Sequence, residues 1–186
     1  MTATITPTHT TTPTPPYPAA RISLKSPTGQ GLLDGAWWPR SRDLSAELPA
    51  LADALDPLWG RITRVAVNPM LWPVVPRKVT VHERVLKVGW FTPELDPHKL
   101  LLLSYGSGRR DLLVIPPETT AANAARLMAA ACDPDGPPLT ATDLVAAEIG
   151  SRHDAALGGR AQGAQEPGTT ADGSTAAHVV PTATGR

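Results

Sequence analysis

Polar and apolar residues alternate through Arg21-Ile22-Ser23-Leu24-Lys25, the period-two pattern of a half-buried strand. Ser26-Pro27-Thr28-Gly29-Gln30-Gly31 supplies turn chemistry after it. Leu44, Leu48, Leu51, Leu55 and Leu58 then recur at three- and four-residue spacing, which predicts one apolar face of a helix. Pro49 interrupts that run and removes a backbone donor, so the pattern predicts a kink or a short first turn feeding the main helix. Asp56-Pro57 and Gly60 are stop signals. Arg61–Asn68 reads as a strand with Thr63, Val65 and Val67 on one face and Ile62, Arg64 and Ala66 on the other. A right-handed crossover follows if the strands flanking the helix are parallel neighbours.

Val79 and Val81, the dipeptide His82-Glu83 and the run Val85 to Phe91 predict a hairpin, although tight turns prefer Gly or Asn. Lys99–Tyr105 and Asp111–Ile115 around Gly106-Ser107-Gly108 predict a second. Leu100 to Leu103 lacks alternation and is expected in a central strand covered on both faces. Beyond Pro116-Pro117, Thr119 or Thr120 can cap a helix through Ala131, with Ala124, Leu127, Met128 and Ala131 as its stripe. A short helix from about Thr142 to Ile149 should end at Gly150. The expected architecture is a single α+β domain, with a mostly antiparallel sheet of about six strands and two to three helices.

Composition sets the limits of that domain. Residues 1–20 hold eight threonines, five prolines, no charge and one aromatic, Tyr17, and read as a disordered arm. Residues 151–186 have no aromatic and only Leu157, Val179 and Val180 as large aliphatics, and read as a disordered Ala/Gly/Thr-rich tail. The globular part is therefore 21–150. The longest apolar run, Leu127 to Cys132, is far short of the roughly 20 residues a spanning helix needs, and no secretory signal precedes Arg21. A single cysteine fits a reducing compartment, so a cytoplasmic location is expected.

The 17 basic and 17 acidic residues cancel, which argues against a basic nucleic-acid arm. The cancellation is uneven: residues 61–110 carry nine positive and three negative charges, whereas 111–149 carry one and six. Internal pairing of the two segments is the plainer explanation.

The densest candidate chemistry is Asp34-Gly35-Ala36-Trp37-Trp38-Pro39-Arg40-Ser41-Arg42-Asp43. Adjacent tryptophans in an extended segment point to opposite sides, so one indole is a candidate stacking surface beside the forked donors of Arg40 and Arg42. The alternative packs both indoles and satisfies the arginines with Asp34 and Asp43, the commoner outcome for such residues. Arg109 and Arg110, at a hairpin tip beside Asp111, are a second possible anion contact. Asp96 and His98 are too few for a metal site, and a loop-bracing role fits His98 better. Cys132 has no patterned histidine partner and reads as a packing residue. Asp34 with Asp43 and Asp133 with Asp135 are carboxylate pairs by sequence alone. No cofactor motif matches: neither Gly29-Gln30-Gly31 nor Gly106-Ser107-Gly108 has phosphate-loop spacing.

The Asp34–Asp43 stretch, with Glu47-Leu48-Pro49-Ala50-Leu51, Gly89-Trp90-Phe91, Asp96-Pro97-His98, Leu102-Leu103-Ser104-Tyr105, Asp111-Leu112-Leu113-Val114 and Pro116-Pro117, resembles an actinobacterial family of small proteins known as a domain of unknown function. The resemblance covers about 21–132 and implies a bacterial cytoplasmic protein, with no activity, cofactor or site to transfer. His82-Glu83 replaces the small turn residues of that pattern. Three function classes follow. First is a non-enzymatic binding or regulatory domain for a protein or small-molecule ligand, centred on Trp37 or Trp38 with Arg40 and Arg42. Second is a nucleic-acid or anion binder using the basic middle segment. Third is a small enzyme or metal-binding protein, for which no nucleophile, base and orienter emerge.

Overall fold

A computed structural model describes residues 17–26, 31–92 and 94–162, with side chains characterised as far as Ser151. Seven strands form one mixed sheet: β1 (Ile22–Leu24), β2 (Gly35–Trp37), β3 (Ile62–Val67), β4 (Lys78–Val81), β5 (Arg84–Trp90), β6 (Lys99–Ser104) and β7 (Gly108–Val114), in the order β1-β2-β7-β6-β3-β5-β4. β2–β7 and β3–β5 are parallel and the other four pairings antiparallel, so the α+β, mostly antiparallel expectation holds. The extra strand is β2, drawn from the tryptophan stretch. β2 and β3 are separated by β7 and β6, so the flanking strands of the first helix are not neighbours. β1 and β4 are free edges and the sheet stays open.

Helix α1 (Leu44–Trp59) starts at Asp43, whose carboxylate accepts from the Ser45 and Ala46 amides. It runs through Pro49 and Pro57 without a break. The carbonyl that Pro49 leaves unpaired belongs to Ser45, an exposed residue open to water. Leu44, Leu48, Leu51 and Leu55 are fully buried against the sheet, but Leu58 is 62% exposed because the helix outruns the layer it packs on. Gly60 ends the helix at φ +80°, and a Cβ there would press on the Gly106 backbone at 3.1 Å. Asp56 ties this end to the sheet by accepting from the Ile62 amide and from Arg84.

Ile62 departs from the expected face. A register shift between Ile62 and Arg64 sets two residues of β3 against one step of β6, and Ile62 joins Val65 and Val67 in the core. The core under α1 also holds Trp37, Trp72, Val79, Val81, Leu86, Val88, Leu100 and Leu102. A second cluster on the opposite face joins Leu33, Ala36, Leu113 and Ile115 to α2 (Ala121–Cys132), which Thr120 caps as expected, and to α3. α3 (Ala141–Gln162) continues past Gly150, where a stop was expected. This cluster covers β2 and β7 and leaves Leu101 and Leu103 of β6 half-buried, so central β6 is fully covered on one face only.

Both expected hairpins form, and His82 adopts φ +52° in the tight turn between β4 and β5. The expected disordered arm and tail fall largely outside the described residues, in 1–16 and 163–186.

Candidate anion-binding face

Strand register puts cations in a line on the face turned away from α1. Arg109 of β7 is opposite Leu103 of β6, Leu103 is opposite Arg64 of β3, Arg64 is opposite Lys87 of β5, and Lys87 is opposite Lys78 of β4. Four strand steps of about 4.8 Å make this row roughly 19 Å long. The intervening positions Val65, Val79, Leu86, Val88 and Leu102 are buried under α1, and the four cations are exposed.

Like charges directly opposite one another destabilise a sheet. Arg109 is partly compensated, donating to Asp111 at 3.0 and 3.1 Å, and this bond with the carboxylate charge holds its pKa above the ordinary guanidinium value. Arg64, Lys87 and Lys78 form no side-chain hydrogen bond or ion pair among the described residues. Ala66 and Gly89 are paired in the next row, where Ala66 is already buried. The Phe91 ring lies over Gly89, 4.0 Å from where a Cβ would stand, and is 53% exposed. On the other side of the row, past Leu103, Tyr105 is 84% exposed with the Arg61 guanidinium 6.0 Å from its ring centroid.

The tryptophan stretch serves the fold instead. Trp37 is 1% exposed and stacks on Trp72 with centroids 5.7 Å apart and planes at 18°, so it offers no surface to a ligand. Trp38 points the opposite way, as adjacent strand residues must, and packs on the second cluster with the Arg21 guanidinium 3.4 Å from its ring centroid. Arg40 donates to the Ala19 carbonyl at 2.7 Å. Arg42 bridges the Leu71 carbonyl at 2.7 Å and Glu118 at 2.6 Å. Neither arginine uses Asp34 or Asp43: Asp43 caps α1, and Asp34 receives Arg110 at 2.8 Å and the Asp111 amide at 2.8 Å.

Arg109 and Arg110 diverge, as successive strand residues do. Arg110 lies 5.5 Å from the Trp59 ring centroid and lines a cleft of about 480 Å³ with Leu24, Asp34, Leu58 and Ser107. Of the six candidates named from sequence, only Arg109 belongs to the cation row. Arg64, Lys78 and Lys87 were not singled out, although each alternates with buried valines or leucines inside the basic middle segment.

Asp96 and His98 brace a loop. Asp96 accepts from the Thr142 hydroxyl at 2.7 Å, the Thr142 amide at 3.0 Å and the His98 amide at 2.8 Å, fastening the loop to the start of α3. Burial would raise the Asp96 carboxyl, but these bonds outweigh it and lower the pKa below 3.8. Burial lowers the His98 pKa below 6.5, with Asp96 opposing and Arg42 reinforcing the shift. Among the described residues, no group of three or more His, Cys, Asp or Glu converges as metal ligands do, and no helix is long and apolar enough to cross a membrane. Cys132 lies 3.2 Å from the Ser23 hydroxyl.

The fold is thus an α+β sheet that carries a row of exposed cations on the face turned away from α1. The chain belongs to DUF5994, a family of unknown function, whose model matches residues 21–131 and so includes every residue of the row. No curated protein and no solved structure matches the chain.

Proposed function

We propose that this protein is a non-enzymatic binding domain that holds a polyanionic partner against the open sheet face. The observation that carries the reading is the line Arg64–Lys87–Lys78, unpartnered among the described residues and continued through Leu103 to Arg109. Three adjacent strands place like charges side by side, an arrangement unfavourable for the isolated domain and favourable once a line of negative charge neutralises it. Net neutrality of the chain does not oppose this, because Asp43 caps α1, Asp96 braces a loop, and Asp34, Asp56 and Glu118 pair with arginines outside the row. The reading also places the protein in the cytoplasm of an actinobacterium. One cysteine supports the compartment, and 13 arginines against 4 lysines with abundant alanine support a GC-rich genome.

The test is retention on immobilised heparin. The full chain should bind at low salt and elute as ionic strength rises, and Arg64→Glu/Lys78→Glu/Lys87→Glu should abolish retention with an unchanged circular dichroism spectrum. A folded triple variant that elutes with the parent would refute the proposal.

A further inference from the structure

We infer that the polyanion is single-stranded nucleic acid, its phosphates following the cation row and its bases stacking on Phe91 and Tyr105. This rests on the reading of the open face as a polyanion site and names the occupant.

The argument comes from what flanks the row. Along β5, Lys87 is followed on the same face by Gly89 and then Phe91, and the Phe91 amide continues the ladder to the Val67 carbonyl at 3.1 Å. β6 runs antiparallel to β3, so the step from Leu103 to Tyr105 goes the other way, and the Tyr105 amide is fixed to the Arg61 carbonyl at 2.9 Å. The row therefore has an exposed aromatic on each side, both on hydrogen-bonded backbone.

Single strands combine a regular line of charge with unpaired bases that stack on such rings, and stacking is tolerant of base identity. A duplex keeps its bases inside and would meet the cations alone. An acidic protein segment would likewise leave both rings without a role. The Phe91 ring, 53% exposed, leaves part of its surface open to a base. A row of roughly 19 Å suits a short segment, at the lower end of the roughly 4–16 nucleotides that open-faced single-strand platforms cover.

The experiment is fluorescence anisotropy of the full chain with labelled oligo(dT) and oligo(U), a blunt DNA duplex of equal length, and poly-glutamate as competitor. Single strands should bind at least about tenfold more tightly than duplex, and Phe91→Ala and Tyr105→Ala should each weaken that binding about tenfold. Phe91→Leu, which keeps the apolar bulk, should lose as much as the alanine variant. All three should elute from heparin with the parent. Equal or tighter duplex binding, stronger competition by poly-glutamate, or single-strand affinity unmoved in the aromatic variants overturns the inference, and the polyanion reading stands if the charge-reversed triple variant loses heparin retention. If that triple variant still binds heparin, both fail.

Discussion

Arg64 on β3 and Lys87 on β5 stand directly opposite one another across a parallel pair, both exposed and neither neutralised by an acid among the described residues. Cross-strand pairs contribute on the order of 0.2–1 kcal/mol, and like charges do so unfavourably. Lys87→Thr should therefore stabilise the domain by a few tenths of a kcal/mol at low ionic strength, a gain that shrinks as salt screens the repulsion. The same change should weaken heparin retention. Urea unfolding at two salt concentrations reads the first effect, and opposite signs for stability and binding would mark Lys87 as kept for a partner. A destabilised Lys87→Thr at low salt would show that the repulsion is already relieved within the fold.

Trp37 and Trp72 make the opposite case, a residue that looks functional in sequence and is structural. The two rings stack at the centre of the main core. Truncating a buried aromatic costs about 3–5 kcal/mol. Since domains of this kind are stable by only about 5–15 kcal/mol, Trp37→Ala should lower the thermal midpoint steeply or abolish cooperative unfolding. Trp37→Phe should recover much of the loss. A Trp37→Ala protein that melts with the parent would place this indole outside the core.

The contrast between these pairs shows what the sequence could reveal. Local periodicity located α1, both hairpins and the Thr120-capped helix, because each is specified by residues close in the chain. It misjudged Leu58, whose angular position is right but which extends past the sheet, and Ile62, which a bulge turns inward. β2 escaped notice because three residues leave no periodicity and its parallel partner is Leu112–Val114, far along the chain. The site was hidden for the same reason. Lys78, Arg64 and Lys87 are ordinary exposed strand residues until register lines them up, and register between strands brought together by β4 and β6 is not a local property. Only the charge excess of 61–110 hinted at it.

The His98 ring and the Asp96 carboxyl give the fold an acid sensitivity whose direction follows from their shifts. Burial lowers the His98 pKa, so the unfolded chain takes up a proton first as pH falls below 6.5, and stability is lost between there and the lowered folded value. Asp96, also lowered, is fully favourable above 3.8 and loses its contribution as pH falls through its folded value. Both act in the same sense, in separate windows. His98→Gln should flatten the upper window of a stability–pH profile and leave the lower one. Asp96→Asn should flatten the lower one, and it should also loosen the start of α3, seen as faster amide exchange at Thr142. An unchanged slope just below pH 6.5 in His98→Gln would assign that window to another group.

Tyr17 supplies an alkaline counterpart. Its hydroxyl donates to Asp53 on α1, and Asp53 also meets His82 Nε2 at 2.7 Å in the turn between β4 and β5. Burial, then the hydrogen bond and negative charge of Asp53, push the phenol up to about 12 from an ordinary value of 10.0. A group whose folded pKa is raised contributes stability that is complete below its unfolded value and is lost as pH rises toward the folded one. Stability should therefore fall as pH climbs from 10.0 toward about 12. Asp53→Ala removes both the acceptor and the charge, so the phenol should ionise nearer its ordinary value, which ultraviolet titration of phenolate reads directly. A high-pH phenolate transition in the parent that moves down in Asp53→Ala is expected, and an identical trace in both proteins would show that Tyr17 is not held on α1.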